Sequence, residues 1–518
     1  MTGTLVPALA LGVALVVGAG ACGDNLAPPA PADCTGQGPP PTGLSLDAAR
    51  EAHRRAALRQ RLRHREALDP GYLVRTTAPL VEQARIDRGQ VCPQDLAEVG
   101  RLLFEHTFTF ADGLAAGTPA ADAVGAAASV FRRIQAGRAG GTETTGCTSC
   151  HWRNGPAGGG GVADASFLLG DGDSVASADA RNPPSLLGAG VAQALAEEMS
   201  AELAALREAG RAEAKRTGRT VDVVLVTKDV SFGVLRVGPD GRLDTEDVRG
   251  IDADLIVRPF GWKGTTATIV EFIAEAAAVH LGIQAEGLPG LAAREPLALG
   301  AGPPEDPDED GVADELTAGQ LTALAAYVAA LELPVGAPHE RPVDLADPAG
   351  PTAPTLVDAW ARGRQLLEDL GCASCHVPRM VLARSTVTLR TGAGPGITLD
   401  LARDAEAPRL GYDAAAGGYP VYAFSDFKRH DLGEANASVH RQEGIATRLY
   451  LTRRLWGVGD SAPYFYDGGS PTLDAAIARH GGEAAFARTA WAEATAQDRS
   501  ALRVFLTALR RAPRLTVP

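Results

Sequence analysis

The chain has 518 residues, enough for two or three domains with a large core. Its net charge of −14 argues against a nucleic-acid partner. Ala, Leu and Gly dominate and aromatics are only 5%, which favours helices joined by irregular loops.

Residues 1–21 read as an export signal. The run at 5–21, LVPALALGVALVVGAGA, is apolar but short and rich in small residues for a membrane span. Ala19-Gly20-Ala21 offers a cleavage site before Cys22. The same bond looks like a bacterial lipobox with Cys22 as the lipid-accepting residue, although no Lys or Arg precedes the run and Ala19 stands where Leu is usual. The other reading of Cys22 is a plain mature N-terminus. Residues 22–44, rich in Pro and Gly, form a tether. Residues 45–94 form a helical extension whose first helix, over 45–68, is rich in Arg. That side is either a solvated face or a basic face toward anionic lipid.

Two stretches carry the chemistry: GCTSCH at 146–151 and GCASCH at 371–376. Each is Cys-x-x-Cys-His, the pattern for covalent attachment of a c-type haem. Two thiols three positions apart add to two vinyl groups of one haem, and the adjoining His sits under the iron. Cys147, Cys150 and His151 would hold one haem; Cys372, Cys375 and His376 would hold the other. The bland readings are zinc bound by four Cys and two His, or a reactive dithiol. Lipid on Cys22 leaves Cys34 and Cys92, an even remainder that suits a disulfide in an oxidising compartment.

An internal repeat surrounds the motifs. GRLLFE at 100–105 recurs as GRQLLE at 363–368, and QLTALAAYVAAL at 320–331 matches DRSALRVFLTAL at 498–509. The expected fold is mainly α: two cytochrome c-like domains by duplication, 95–332 and 356–518, with a linker at 333–355. A small β insertion is expected at about 220–257, where β-formers alternate around turn signals. GPAGGGG at 155–161 reads as a flexible loop. DPDEDGVADE at 306–315 puts Asp306, Asp308, Asp310 and Asp314 at alternating positions of a degenerate calcium loop. The other reading of this stretch is a solvated acidic turn.

Both CxxCH units, RNPPSLLGAG at 181–190, RPFGWKG at 258–264, the DEDG loop, HDLG at 430–433 and PYFYDG at 463–468 followed by HGGEA together resemble the di-haem oxidoreductase family. That family lies within the bacterial cytochrome c peroxidase and MauG-like superfamily. The resemblance spans roughly residues 97–511. It implies an exported or lipid-anchored enzyme in which one haem reacts with peroxide and the other relays electrons. It implies His151 and His376 as proximal ligands, and His480, fourteen residues after Tyr466, as sixth ligand of the second haem. Peroxidases of this kind usually have Met at that place and MauG-like enzymes Tyr; a His there implies a low-potential haem. Trp262 would lie between the haems, and Glu271 or Glu275 would be the acid–base group for O–O cleavage. His280 and His430 would approach either haem, or serve structure only. The partner would be a redox protein or peroxide. The alternatives are an electron-transfer cytochrome without substrate and a rubber-oxygenase-type enzyme, for which the chain is short.

Overall fold

The computed structural model describes residue 34 and residues 78–109, 112–114, 134–136, 143–171, 174–286, 314–334 and 355–511. After α1, Gln83–Asp87, comes α2, Pro93–Phe104, with Pro at its first turn, where a missing N–H costs nothing. Its Leu96, Val99, Leu103 and Phe104 are buried along one stripe. α3, Ala189–Thr217, ends at Gly218 in the left-handed region. α4, Ile269–Ala276, starts on a capping box between Thr268 and Glu271 and runs on into a π turn, Ala277–Leu281. α5 is Ala318–Ala329 and α6 is Leu356–Asp369; Thr317 and Thr355 cap them in the same way. α7, Leu473–Arg479, α8, Ala485–Glu493, and α9, Ala496–Ala508, close the chain.

Two helix pairs cross through glycine. A Cβ at Gly100 of α2 would lie 1.8 Å from the Ala323 carbonyl oxygen and 2.8 Å from the Tyr327 Cβ of α5. A Cβ at Gly363 of α6 would lie 2.1 Å from the Ala501 carbonyl oxygen and 2.7 Å from the Phe505 Cβ of α9. Glycine is required in both because the backbones touch. A further parallel had no clear sequence signal. An isolated antiparallel bridge joins Phe260 to Thr266, and another joins Tyr464 to Ser470. Two residues later Thr268 and Thr472 cap α4 and α7, and those helical segments lead to His280 and His480. Trp262 and Tyr466 therefore sit at equal places in matching loops.

The strand content is wider than the single expected insertion. Val221–Thr227, Val230–Val237 and Leu243–Asp244 form the expected antiparallel meander. Four further small sheets lie outside it, such as Thr386–Leu389 with Ile397–Asp400 and Arg429–Asp431 with Leu449–Leu451. Most of those strands have three or four residues, too few for an alternating pattern to register in a sequence. The architecture is thus mixed: helices with several small sheets.

The larger core gathers α2 to α5 and the meander, and it extends to Leu382, Leu399 and Val421 of the later chain. A smaller core joins α6 and α9 around Phe424 and Trp491. Cys34 and Cys92 form a disulfide with Cα atoms 5.7 Å apart. Among the described residues, no helix is long and apolar enough to cross a membrane.

Candidate functional site

Each CxxCH motif opens with a single 3-10 turn, Cys147–Ser149 and Cys372–Ser374, and each lines its own cavity. The first cavity, of about 220 Å³, is walled by Cys147, Cys150 and His151 together with Phe260, Glu275 and His280. His151 Nδ1 lies 3.1 Å from the Gly158 carbonyl oxygen. An oxygen acceptor fixes the proton on Nδ1, so Nε2 is the nitrogen left for a metal. Burial, above all, pushes the His151 ring down to about 4, so it is neutral at physiological pH, as a ligand must be. The glycine loop expected to be flexible is instead this ring's cradle: residues 157–161 are buried. A Cβ at Gly158 would lie 1.8 Å from the Arg153 carbonyl oxygen, and one at Gly160 2.6 Å from that of Cys150. The glycines serve close approach rather than mobility.

The second cavity, of about 260 Å³, is walled by Cys372, Cys375, His376, His480, Tyr450 and Tyr466. His376 Nδ1 donates to the Phe424 carbonyl at 2.8 Å. Phe424 has φ +51°, a costly backbone state for a bulky residue. The Ser425 hydroxyl, which accepts from the Phe427 N–H at 3.0 Å, pins the turn that keeps it there. Opposite, His480 caps α7 and donates Nδ1–H to the Ala476 carbonyl at 2.8 Å. Burial pushes His376 to about 4 and lowers His480, leaving both rings neutral. Their centroids are 6.5 Å apart. Two imidazole–metal bonds of about 2 Å, plus about 1.1 Å from nitrogen to ring centre on each side, need roughly 6.2 Å, so the separation is of the size that a metal shared by both rings requires.

Six residues line both cavities: Asn182, Pro183, Pro184, Trp262, Arg453 and Arg454. Trp262 is thus part of the wall between them, its indole N–H donating to the Asn182 carbonyl at 2.9 Å. Arg453 lies 5.0 Å over the indole ring. Beyond the wall, Tyr450 and Tyr466 stack at 4.4 Å, and the fully buried Lys263 sits 3.6 Å over Tyr450. Lys263 donates to the Thr447 carbonyl at 2.6 Å.

The acid–base pair divides. Glu271 is engaged in the cap of α4 and is not among the residues lining the first cavity, whereas Glu275 is. His430 lines the second cavity, but both its nitrogens face carboxylates: Asp426 Oδ2 at 2.7 Å and Glu483 Oε2 at 2.7 Å. Neither nitrogen is left for iron. His280 lines the first cavity, with Nδ1 against Glu143 and 3.3 Å from the Ser166 hydroxyl. Cys22, Asp306, Asp308 and Asp310 lie outside the described residues; Asp314 is exposed. The zinc arrangement is not seen: the two sulfur pairs line separate cavities. The backbone carbonyls of Gly158 and Phe424 carry no residue-type signal, and Arg453 and Arg454 have no motif. Only their neighbourhood in space reveals them.

The residues fit two haems: paired thiols, a neutral carbonyl-anchored His and an apolar cavity occur twice. Residues 345–509 match the family model described as "Di-haem oxidoreductase, putative peroxidase". No curated protein matches the chain. Among solved structures, hydrazine synthase of Kuenenia stuttgartiensis matches at 15% identity, over 80% of this chain and 92% of that chain. Its TM-score is 0.30.

Proposed function

We propose that the chain, with its di-haem oxidoreductase domain at 345–509, is an exported c-type enzyme of peroxidase type built from two duplicated haem units. The observation that carries this reading is the pair of CxxCH-lined cavities sharing one wall at Trp262. Cys147 and Cys150 with His151, and Cys372 and Cys375 with His376, would hold the haems covalently. When bound, haem supplies the one-electron and peroxide chemistry that side chains lack. His480 closes the second site as a sixth ligand, which suits that site to electron relay. Glu275 lines the first cavity and would be the residue that holds and returns a proton during peroxide cleavage there, for which the bound haem would supply the electrons. The apolar lining around Phe260 and Phe272 keeps bulk water from competing. Trp262 spans the distance between the two sites. Lipid on Cys22 and calcium at Asp306, Asp308, Asp310 and Asp314 belong to the same proposal.

A second reading, electron transfer without a substrate, draws on His280, which lines the first cavity and would close that site as well. One experiment separates the two. Protein made with c-type maturation should carry two haems that survive denaturation, and one of them should be high-spin in the ferric state and bind cyanide. His480→Ala should add a second cyanide-binding haem. Zero or one covalent haem refutes the proposal; two haems that both refuse cyanide in the parent establish the electron-transfer reading.

A further inference from the structure

Several buried or part-buried guanidinium groups in this fold meet a carboxylate. Arg258 meets Asp254, Arg429 meets Asp252, Arg479 meets Asp467 and Arg511 meets Glu332. Arg453 and Arg454 break the pattern. Among the described residues, no carboxylate lies within 4.0 Å of either. Arg453 donates to the Gly261 carbonyl at 3.3 Å and Arg454 to that of Pro259 at 3.2 Å, both long contacts to neutral acceptors. The Nε of Arg454 is buried without a partner. Rings crowd the remaining faces: Trp262 at 5.0 Å from Arg453, and Trp456 at 5.7 Å from Arg454.

Arg453 and Arg454 are part-buried against apolar rings, and holding a cation there without an anion is costly; two adjacent ones repel as well. Burial lowers Arg453 to about 10 and Arg454 to about 9, the latter also under the charge of Arg453. The wall therefore holds two cations whose anions the described polypeptide does not supply. Both line both cavities.

The geometry points to Arg453 and Arg454 as a built clamp in the shared wall for carboxylate groups, namely the propionate side chains of the two bound haems. This rests on the di-haem reading above. A haem carries two carboxylates, and a planar guanidinium fork matches a carboxylate in a way that ammonium does not. A cation held against a haem favours its reduced form, so the clamp raises midpoint potentials and keeps the carboxylates ionised.

The test uses the mature holoprotein and Arg453→Met, Arg454→Met and the corresponding Lys variants. Haem count and the midpoint potential of each haem are measured from pH 6 to pH 9. All variants should keep two haems, because attachment rests on the cysteines. In each Met variant at least one haem should become easier to oxidise by about tenfold, 59 mV for a one-electron couple. Its potential should also vary more steeply with pH, as a released carboxylate titrates nearer neutrality. The Lys variants should fall between parent and Met. Arg453→Gln and Arg454→Gln carry the same expectation and serve where a Met variant does not accumulate. Two-haem variants with the parent's potentials and pH slopes would overturn the clamp. A parent spectrum that responds to sodium propionate, with the response lost in the Met variants and potentials unchanged without it, would assign the pair to a diffusible anion instead. A parent without two haems fails the di-haem reading, a result distinct from either.

Discussion

Two carboxylates compete for one ring at His430. Burial alone would push this imidazole down, but the hydrogen bond to Asp426 outweighs it, and the Asp426 charge adds to the rise, which holds the ring above its ordinary value. The ring is therefore an imidazolium, a brace between the strap that anchors His376 and the loop that follows His480. An unfolded His titrates near 6.5. A raised folded value means that the proton's contribution is complete below about pH 6.5 and is lost as pH rises through the raised folded value. The stability difference between parent and His430→Gln should accordingly be largest at pH 6 and smaller at each step to pH 9, by at most about 1.4 kcal/mol per pH unit. Thermal or chemical unfolding of both proteins across that range measures it. A difference independent of pH would mean an ordinary histidine. His480 makes a different case, since its burial lowers its pKa and leaves the ring neutral, as a ligand must be. His480→Met should raise the potential of the second haem in a redox titration, because a thioether favours the reduced iron more than a second imidazole does.

Helices and loops show where glycine is forced by contact. In an exposed helix, replacing Gly with Ala stabilises by about 1 kcal/mol through propensity. At Gly363 the new Cβ would meet the Ala501 carbonyl oxygen at 2.1 Å, a backbone atom that cannot turn aside. Overpacking of this kind costs about 1–3 kcal/mol, so the sign should reverse and Gly363→Ala should lower the melting temperature. Gly100→Ala should behave alike against Ala323. A rise in melting temperature for either would refute the close crossing. These two glycines were legible as a repeat, GR before a helical stripe, and so were the CxxCH pairs, because spacing there is the chemistry. His480 and Trp262 were legible through motif resemblance, and the structure puts one across from His376 and the other in the shared wall. Other features were hidden for physical reasons. Ladders of three or four residues are shorter than any readable alternation. The anchors of His151 and His376 are main-chain carbonyls, which every residue possesses. Glu271 and Glu275 lie one helical turn apart, and only the capping box at Thr268 decides which of them is engaged at the start of the helix.

The parts of the chain that carry the two CxxCH motifs are joined by charge as well as by apolar contact. Arg511, just beyond α9, reaches back to Glu332, just beyond α5, and both side chains are almost fully buried. The same guanidinium donates to the carbonyls of Asn154 at 3.0 Å and Pro156 at 2.7 Å, in the loop that leads to the cradle of His151. One side chain near the end of the described chain thus holds the close of α5 and the approach to the first cavity. Removing one partner of a buried pair leaves a charge without its counter-ion, at a cost of about 3–5 kcal/mol. Arg511→Met should therefore destabilise by about that amount in chemical denaturation, and the first haem should respond before the second because loop 154–156 loses its clasp. Replacing both partners by apolar groups removes the stranded charge, so Glu332→Leu with Arg511→Met should recover most of the loss. The spectrum of the first haem should recover less, since the hydrogen bonds to Asn154 and Pro156 stay absent. If the double variant is as unstable as the single one, hydrogen bonding to the loop rather than ion pairing holds the units together. If the single variant matches the parent, the junction rests on apolar contact alone.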